Sequence, residues 1–478
     1  MGAPVKGTLA LRFTPRLAAA ALFATLALAA FGCEEPVPVT PPQPVTPPPS
    51  ASATAEVSPD PAPITDGDVT VAYANGVKIL VKRIPGAELS AMQLYIKGGA
   101  REWTAADAGI TRLALSTAVS GGTATLDKDA YYRKLATLGS DVWSEAGTDY
   151  AAVKGKTLLK DWDETFALLA ETFLSPRMPA SELELQREKQ IQTLKHEQES
   201  PDGALSLLVT KTVYKGHPMA NRAIGTEESV AGLKMEAIQA HLAKLRETSR
   251  LLFVTAGDVE PSHVVEKVKA AFGALPRGSY ENTPFPALNY PASSVNVTDR
   301  ALSTNYVEGA FAGPAWASAQ MADGMVAMSL LRHRLFEEVR TKRNLSYAPS
   351  AGLATGSSVP FGYLYVTAVD PGKTMQVMFD EVNRLKNEVV SEKELTSTKS
   401  VFLTTYLMQN ESTDGQAGML ASAELLGGDY HLARSLPERI RAVTPQDVQA
   451  FAKKYLAHLQ MVVLGDPTKI DQKLFGSM

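Results

Sequence analysis

Short segments of alternating apolar and polar residues near the start of the globular region predict β-strands. They occupy residues 71–73, 78–82 and 90–96, and an Asn-Gly pair between the first two favours the tight turn of a hairpin. Apolar residues at helical spacing then predict helices, at 109–120, 162–173 and 180–199. Strands followed by groups of helices predict an α+β fold, with helices packed on a mostly antiparallel sheet.

The chain also contains an internal repeat. The sequence Glu-Ser-Pro-Asp-Gly that begins at Glu199 recurs as Glu-Ser-Thr-Asp-Gly at Glu411, 212 residues later. The apolar segment 253–258, which ends in Gly-Asp, recurs at 461–466, 208 residues later. Each apolar segment predicts a strand that follows an amphipathic helix. Because the order and the separation are shared, we interpret the repeat as a duplication that produces two similar halves.

The N-terminal residues 1–32 have the features of a signal peptide. Three basic residues precede an apolar stretch at 17–31, which is shorter than the roughly 20 residues needed to cross a bilayer. Cys33, the only cysteine, directly follows a glycine at the end of this stretch. This arrangement resembles the lipidation site of bacterial lipoproteins. We therefore expect a lipid-anchored protein of the bacterial cell envelope that faces the periplasm, with the outer membrane favoured. An ordinary signal peptide followed by an incidental cysteine is the alternative.

Composition defines the remaining organisation. Residues 33–67 are rich in proline, alanine, serine and threonine, which predicts an extended tether without a core of its own. The two halves then span 68–276 and 296–478, and the proline-containing segment 277–295 connects them. The net charge is −4 and no basic face stands out, so we expect no binding of nucleic acid.

Three segments of the first half resemble one known family. Residues 74–81, 94–102 and 108–110, together with the duplication, resemble the entry of the M16 (insulinase/pitrilysin-like, inverzincin) metallopeptidases. The similarity extends over nearly the whole chain after residue 68, and it implies two halves of the LuxS/MPP-like type. In active members a helix carries the pattern His-x-x-Glu-His. Its two histidines bind zinc together with a glutamate from a later helix, and the glutamate of the motif is the general base.

The corresponding helix of this chain lacks those side chains. The motif positions hold, in order, Arg112, Leu113, Ala114, Leu115 and Ser116. Arg112 and Ser116 thus replace the two histidines, Leu115 replaces the general base, and Thr193 stands near the position of the later glutamate. An arginine cannot lose its proton to bind a metal, and none of the seven histidines lies four residues from another. We therefore expect no zinc or other cofactor on this chain and no peptidase activity from the chain alone. A hydrolase that uses Ser116 as nucleophile is disfavoured, because no histidine lies close to it in sequence.

The second half retains a different part of the family's machinery. Arg340 and Tyr347 are seven residues apart in a segment, 335–347, that resembles the family's substrate-contacting segment. The resemblance implies that the arginine orients a substrate carbonyl and that the tyrosine donates a hydrogen bond to the oxyanion of the tetrahedral intermediate. A helix end with a solvated arginine and a packed tyrosine is the alternative interpretation.

A segment of the first half resembles the family's edge strand, to which extended peptides add by main-chain pairing. Its central residues are Val142, Trp143 and Ser144. A structural role for Trp143, in the core or at its rim, is the alternative.

The resemblance implies a non-catalytic subunit of a heterodimeric peptidase. In this hypothesis the chain supplies Arg340, Tyr347 and half of the peptide chamber, in trans, to an M16-like partner that carries the zinc ion. The alternative is a stand-alone peptide-binding or scaffold lipoprotein without hydrolytic activity.

Overall fold

The computed structural model describes residues 60–478, so the predicted signal peptide, Cys33 and most of the predicted tether lie outside the described residues. The first half contains seven strands and eight α-helices within that range. The strands are β1 (Ile64–Asp66), β2 (Val69–Ala74), β3 (Val77–Arg83), β4 (Leu89–Lys97), β5 (Asp141–Ala146), β6 (Tyr150–Leu158) and β7 (Leu251–Gly257). The helices are α1 (Ile110–Gly121), α2 (Lys128–Leu138), α3 (Trp162–Leu174), α4 (Ala180–Glu199), α5 (Pro201–Val213), α6 (Glu227–Gly232), α7 (Met235–Leu245) and α8 (Pro261–Phe272).

The second half begins after a segment, residues 273–293, that contains no helix or strand. Its strands are β8 (Ser294–Asp299), β9 (Asn305–Ala312), β10 (Ser350–Ala354), β11 (Phe361–Ala368) and β12 (Gln460–Gly465). Its helices are α9 (Gln320–Leu335), α10 (Pro371–Asn387), α11 (Glu392–Gln409), α12 (Thr413–Gly427), α13 (His431–Ala442), α14 (Pro445–Tyr455) and α15 (Gln472–Phe475). A π-helical turn, Phe336–Thr341, continues α9.

Each half contains one mixed, mostly antiparallel sheet. The first has the strand order β1-β2-β3-β7-β4-β6-β5 and the second has β10-β11-β9-β12-β8. The five strands from β3 to β5 in the first order correspond, one for one, to those from β8 to β10 in the second. In both sheets the repeated strand, β7 or β12, pairs parallel with β3 or β8 and antiparallel with β4 or β9. The α+β fold and the two similar halves predicted from the repeat are confirmed.

The local predictions are close to the observed elements. The three predicted strands are β2, β3 and β4, and the three predicted helices are α1, α3 and α4. Asn75, with φ of 49°, and Gly76, with φ of 86°, form the predicted turn between β2 and β3. One strand was not anticipated, because β1 lies within the predicted tether and pairs with β2. Its β-branched Ile64 and Thr65 favour that extended pairing despite the neighbouring prolines.

The repeated Glu-Ser-x-Asp-Gly sequence has a structural purpose, because it begins the helix that each half places on the other half's sheet. Ser200 caps α5 and Ser412 caps α12, and each hydroxyl accepts a 3.0 Å hydrogen bond from the glycine amide three residues later. Helix α5 packs on the second sheet through Leu205 and Val209, and α12 packs on the first sheet through Leu420. The two halves therefore share apolar cores and are held as one body.

The aspartate of each repeat joins its helix to the opposite sheet by a hydrogen bond. Gln93, on β4, donates from Nε2 to Asp414 Oδ1 at 2.7 Å. Tyr365, on β11, donates from its hydroxyl to Asp202 Oδ1 at 2.5 Å. These contacts explain why the aspartate occurs in both copies of the repeat.

Candidate functional site

Helix α1, which carries the altered zinc motif, is positioned by the residue at its start. Gly109 has φ of 93°, a left-handed conformation that favours glycine. A Cβ atom there would lie 2.9 Å from Val230 Cγ2 and 3.0 Å from Gln190 Nε2. Gln190, on α4, donates hydrogen bonds to the carbonyls of Gly109 and Ile224, at 3.3 and 2.9 Å. The close packing of α1 against α4 that a zinc site would require is therefore present.

The side chains at the two histidine positions do not fit a metal ion. Arg112 is exposed, and partial burial of its guanidinium, together with the neighbouring Arg222, lowers its pKa, while the nearby Glu197 carboxylate opposes that change. Ser116 is half-buried and donates its hydroxyl to the carbonyl of Leu113, at 3.1 Å in its own helix. Neither side chain is suited to bind zinc together with a second ligand.

The side chains at the remaining motif positions have structural roles in core packing and local hydrogen bonding. Leu115 is 1% exposed and belongs to the core of the first half. Thr193 is exposed on α4, and its hydroxyl donates to the carbonyl of Lys189 at 2.9 Å. Between residues 60 and 478, no group of three or more histidine, cysteine, aspartate or glutamate side chains is arranged to hold a metal ion.

Two residues near Arg112 were not identified from the sequence as part of this region. Glu197 lies one helical turn after Thr193 on α4, and Arg222 donates to both of its carboxylate oxygens, at 2.6 and 2.7 Å. The spacing of four residues from Thr193 could have indicated Glu197. No local signal indicates Arg222, because it comes from the loop before α6. An ion pair with an adjacent arginine thus lies beside Arg112, at one of the positions that correspond to the motif histidines.

Arg340 and Tyr347 are brought together, as their spacing suggested. Arg340 lies in the π-helical turn, and its Cζ is 3.9 Å from the centre of the Tyr347 ring and 4.7 Å from that of Phe336. Cation–π contacts of this kind hold a guanidinium in place without neutralising its charge. Among the described residues, Arg340 has no ion-pair partner and its side chain donates no hydrogen bond. Tyr347 is 76% exposed, so the alternative of a packed tyrosine is not what the structure shows.

The backbone around this pair has the irregular geometry common at functional sites. Asn344 adopts a left-handed conformation with φ of 50°, which reverses the chain between the two residues. The amide of Asn344 donates to the carbonyl of Arg340 at 3.0 Å, and the amide of Leu345 donates to that of Val339 at 2.9 Å. The neighbouring Arg343 is tied to Glu338 by an ion pair. The Arg340–Tyr347 geometry is therefore built into the fold.

The predicted peptide-binding segment forms the edge strand β5. It pairs only with β6 among the described strands, so no strand of residues 60–478 pairs with its other edge. Val142 is buried in the core, whereas Trp143 and Ser144 are half-buried. Trp143 Nε1 donates to Glu145 Oε1 at 3.1 Å. The segment is thus an edge strand, and Val142 is one of its core residues.

None of the helices within the described part of the chain combines the length and the apolar character that crossing a membrane requires.

Comparison with known proteins identifies two matching family models. The model described as Insulinase (Peptidase family M16) matches residues 78–227, and the model described as Peptidase M16 inactive domain matches residues 232–402. Together they cover the greater part of the chain.

Individual relatives are distant in sequence. An uncharacterized zinc protease of Mycobacterium leprae is 22% identical over 393 residues, which cover 80% of this chain and 87% of that protein. The non-peptidase homolog YmxG of Helicobacter pylori is 22% identical over 305 residues, which cover 62% of this chain and 70% of the relative.

Solved structures share the fold. The peptidase M16 inactive domain from Pseudomonas fluorescens superposes with a TM-score of 0.76 at 19% identity, covering 85% of this chain and all of the other. A protease from Helicobacter pylori superposes with a TM-score of 0.74 at 17% identity, covering 83% of this chain and 99% of its own.

Proposed function

We propose, from the premise that this chain belongs to the M16 (insulinase/pitrilysin-like) peptidase family and lacks its zinc motif, that it is the non-catalytic subunit of a two-chain peptidase. In this proposal the partner is an M16-like chain with the complete His-x-x-Glu-His motif, and the two chains enclose a peptide between them. Arg340 and Tyr347 contact the peptide at the partner's metal. The chain itself binds no zinc.

The observation that carries the proposal is the contrast between the two sites. At the motif of α1, every chemical group needed for zinc has been replaced, and Leu115 has become part of the core. At Arg340, a guanidinium that has no acidic partner among residues 60–478 contacts two aromatic rings, and one of these is the exposed phenol of Tyr347. An unpaired guanidinium and a free hydroxyl are the donors that stabilise a developing oxyanion. A chain kept only as a scaffold would have no need of them.

The proposal is tested by co-purifying the chain with an M16-like chain that has the complete motif and is encoded in the same genome. Cleavage of a quenched fluorescent peptide library is measured for each chain alone and for the mixture. Activity is expected only in the mixture, and a zinc chelator should abolish it. A mixture that cleaves no peptide would contradict the proposal.

Two substitutions examine the role of the pair within that complex. Arg340→Gln and Tyr347→Phe are each expected to lower kcat by about 10²-fold, the usual effect of losing one oxyanion donor. Arg133→Gln, at an exposed arginine on α2, makes the same charge change and should leave kcat unaltered. Equal effects of Arg340→Gln and Arg133→Gln would contradict a role of the Arg340–Tyr347 pair in catalysis.

The proposed location is the cell envelope, with Cys33 lipidated and the body facing the periplasm. Cys33→Ser should prevent incorporation of a labelled fatty acid and release the protein from the membrane fraction. Labelling that persists in this variant would contradict the proposed anchor.

A further inference from the structure

A cavity of about 540 Å³ lies between α9 and α11, next to the Arg340–Tyr347 pair. Phe336 lines this cavity and also contacts the Arg340 guanidinium, so the cavity adjoins the Arg340–Tyr347 pair. Pro349 and Val401 add apolar surface to its wall. A volume of this size is typical of ligand-binding sites rather than of packing defects.

The charges in this cavity are unbalanced. Arg332, His333 and Lys393 line it, and within residues 60–478 their side chains have no ion-pair or hydrogen-bond partner. Among the described lining residues Glu394 is the one acid, and it is already neutralised by Arg334, which donates two hydrogen bonds at 2.7 and 2.9 Å. Those hydrogen bonds lower the pKa of Glu394, which holds it as a paired carboxylate. The positive charges of Arg332 and Lys393 therefore remain for a ligand, in a protein whose net charge is negative.

A second cavity, of about 390 Å³, adjoins the first and shares Ser329 and Arg332 with it. Its lining is mainly apolar and includes Met325, Met328 and Phe402. Methionine side chains are flexible and polarisable, so such a surface accommodates apolar groups of different shapes. The two cavities together combine a cationic compartment with an apolar one.

We propose that these cavities select the peptide: the cationic cavity binds an acidic side chain, and the adjoining methionine-lined cavity binds a large apolar side chain of the same peptide. The identity of the ligand as a peptide rests on the proposed function. The charge preference rests on Arg332 and Lys393, whose side chains have no partner among the described residues. The position of the cavity beside Arg340 places the selected side chain next to the peptide bond held there.

The test measures binding of fluorescein-labelled decapeptides to the purified chain alone, by fluorescence anisotropy, so that it needs no partner. One peptide contains Glu followed by Leu two residues later, and two matched peptides replace the Glu by Gln or the Leu by Ala. The Glu peptide is expected to bind about tenfold more tightly than the Gln peptide, and the preference should fall in high salt. The Ala peptide should bind less tightly than the Leu peptide.

Arg332→Gln and Lys393→Gln should each weaken binding of the Glu peptide by about threefold to fivefold and leave the Gln peptide unchanged. Lys453→Gln, at an exposed lysine on α14 in the same half, is the matched control and should change neither. Because both cavity residues are exposed, the variants are expected to keep the melting temperature of the parent protein.

Equal affinity for the Glu and Gln peptides would overturn the inference, as would displacement of the Glu peptide by a free fatty acid that binds more tightly than any peptide. Activation of a zinc-bearing partner without acidic preference would leave the proposed function standing and remove only the inference about selection. Acidic preference without activation would do the reverse.

Discussion

Glu308 lies on β9, beneath the helix that the first half contributes to the second sheet. Burial raises its pKa to about 7, from an ordinary value of 4.5. It faces Val462 on β12 and Tyr365 on β11, and Tyr365 in turn holds Asp202 of α5. The equivalent position of the first sheet is Gln93, which faces the matching residue of β7 and donates to the aspartate of α12. The first sheet thus has an uncharged amide at the position where the second sheet has a carboxyl group.

The predicted perturbation is Glu308→Gln. The folded state binds the proton of Glu308 more tightly than the unfolded chain, so the stability of the wild-type protein falls as pH rises from about 4.5 through about 7. The shift corresponds to about 3 kcal/mol at 1.36 kcal/mol per pH unit, and this is an upper value because nearby groups rearrange. The variant has no such dependence. It should therefore be more stable than the parent protein by about 2–3 kcal/mol at pH 8 and nearly equal to it at pH 4.5.

The assay is equilibrium urea unfolding at several pH values between 4.5 and 8, followed by tryptophan fluorescence. Glu266→Gln, at an exposed glutamate on α8, provides the matched control and should be neutral throughout. A gain for Glu308→Gln that is the same at every pH would refute the reasoning, because it would then come from packing and not from ionisation. A loss of stability at pH 8 would refute it as well.

Three further predictions concern the fold around the candidate site. Gln93→Ala removes the donor to the aspartate carboxylate of α12 from a fully buried position, and should lower the free energy of unfolding by about 2–3 kcal/mol in urea titrations. Gly109→Ala forces a left-handed alanine against its neighbours and should lower the free energy of unfolding by at least about 2 kcal/mol. Gly232→Ala, with open space around it, should be neutral or stabilising by up to about 1 kcal/mol. The measurement is the difference in Tm between the two variants. Leu115→Glu, which restores the general base of the family motif, should lower the free energy of unfolding by more than about 3 kcal/mol because it buries a carboxylate in the core. Ser116→His should lower it by about 1 kcal/mol or less. Similar unfolding curves for these two variants would contradict the assignment of Leu115 to the core.

Much of the fold could be predicted from local patterns in the sequence. Alternation of apolar residues located β2 to β4, and helical spacing located α1, α3 and α4, because each of these elements keeps one face towards a core. The loss of the zinc motif is likewise a property of sequence alone, since the chemistry of an arginine, a leucine and a serine at Arg112, Leu115 and Ser116 does not depend on the surrounding fold.

Only the tertiary structure determined which contacts the repeated segments and the second half make. The exchange of α5 and α12 between sheets depends on contacts across more than 100 residues, which no local pattern encodes. The pairing of Glu197 with Arg222 and the cavity between α9 and α11 arise in the same way, from side chains that the folded chain brings together. The sequence thus determined which groups exist, through local periodicity and side-chain chemistry. Their burial and their partners are set by packing between distant segments, which is why they became visible only in three dimensions. The same holds for the charges of Arg340 and Arg332, which have no ion-pair partner within residues 60–478.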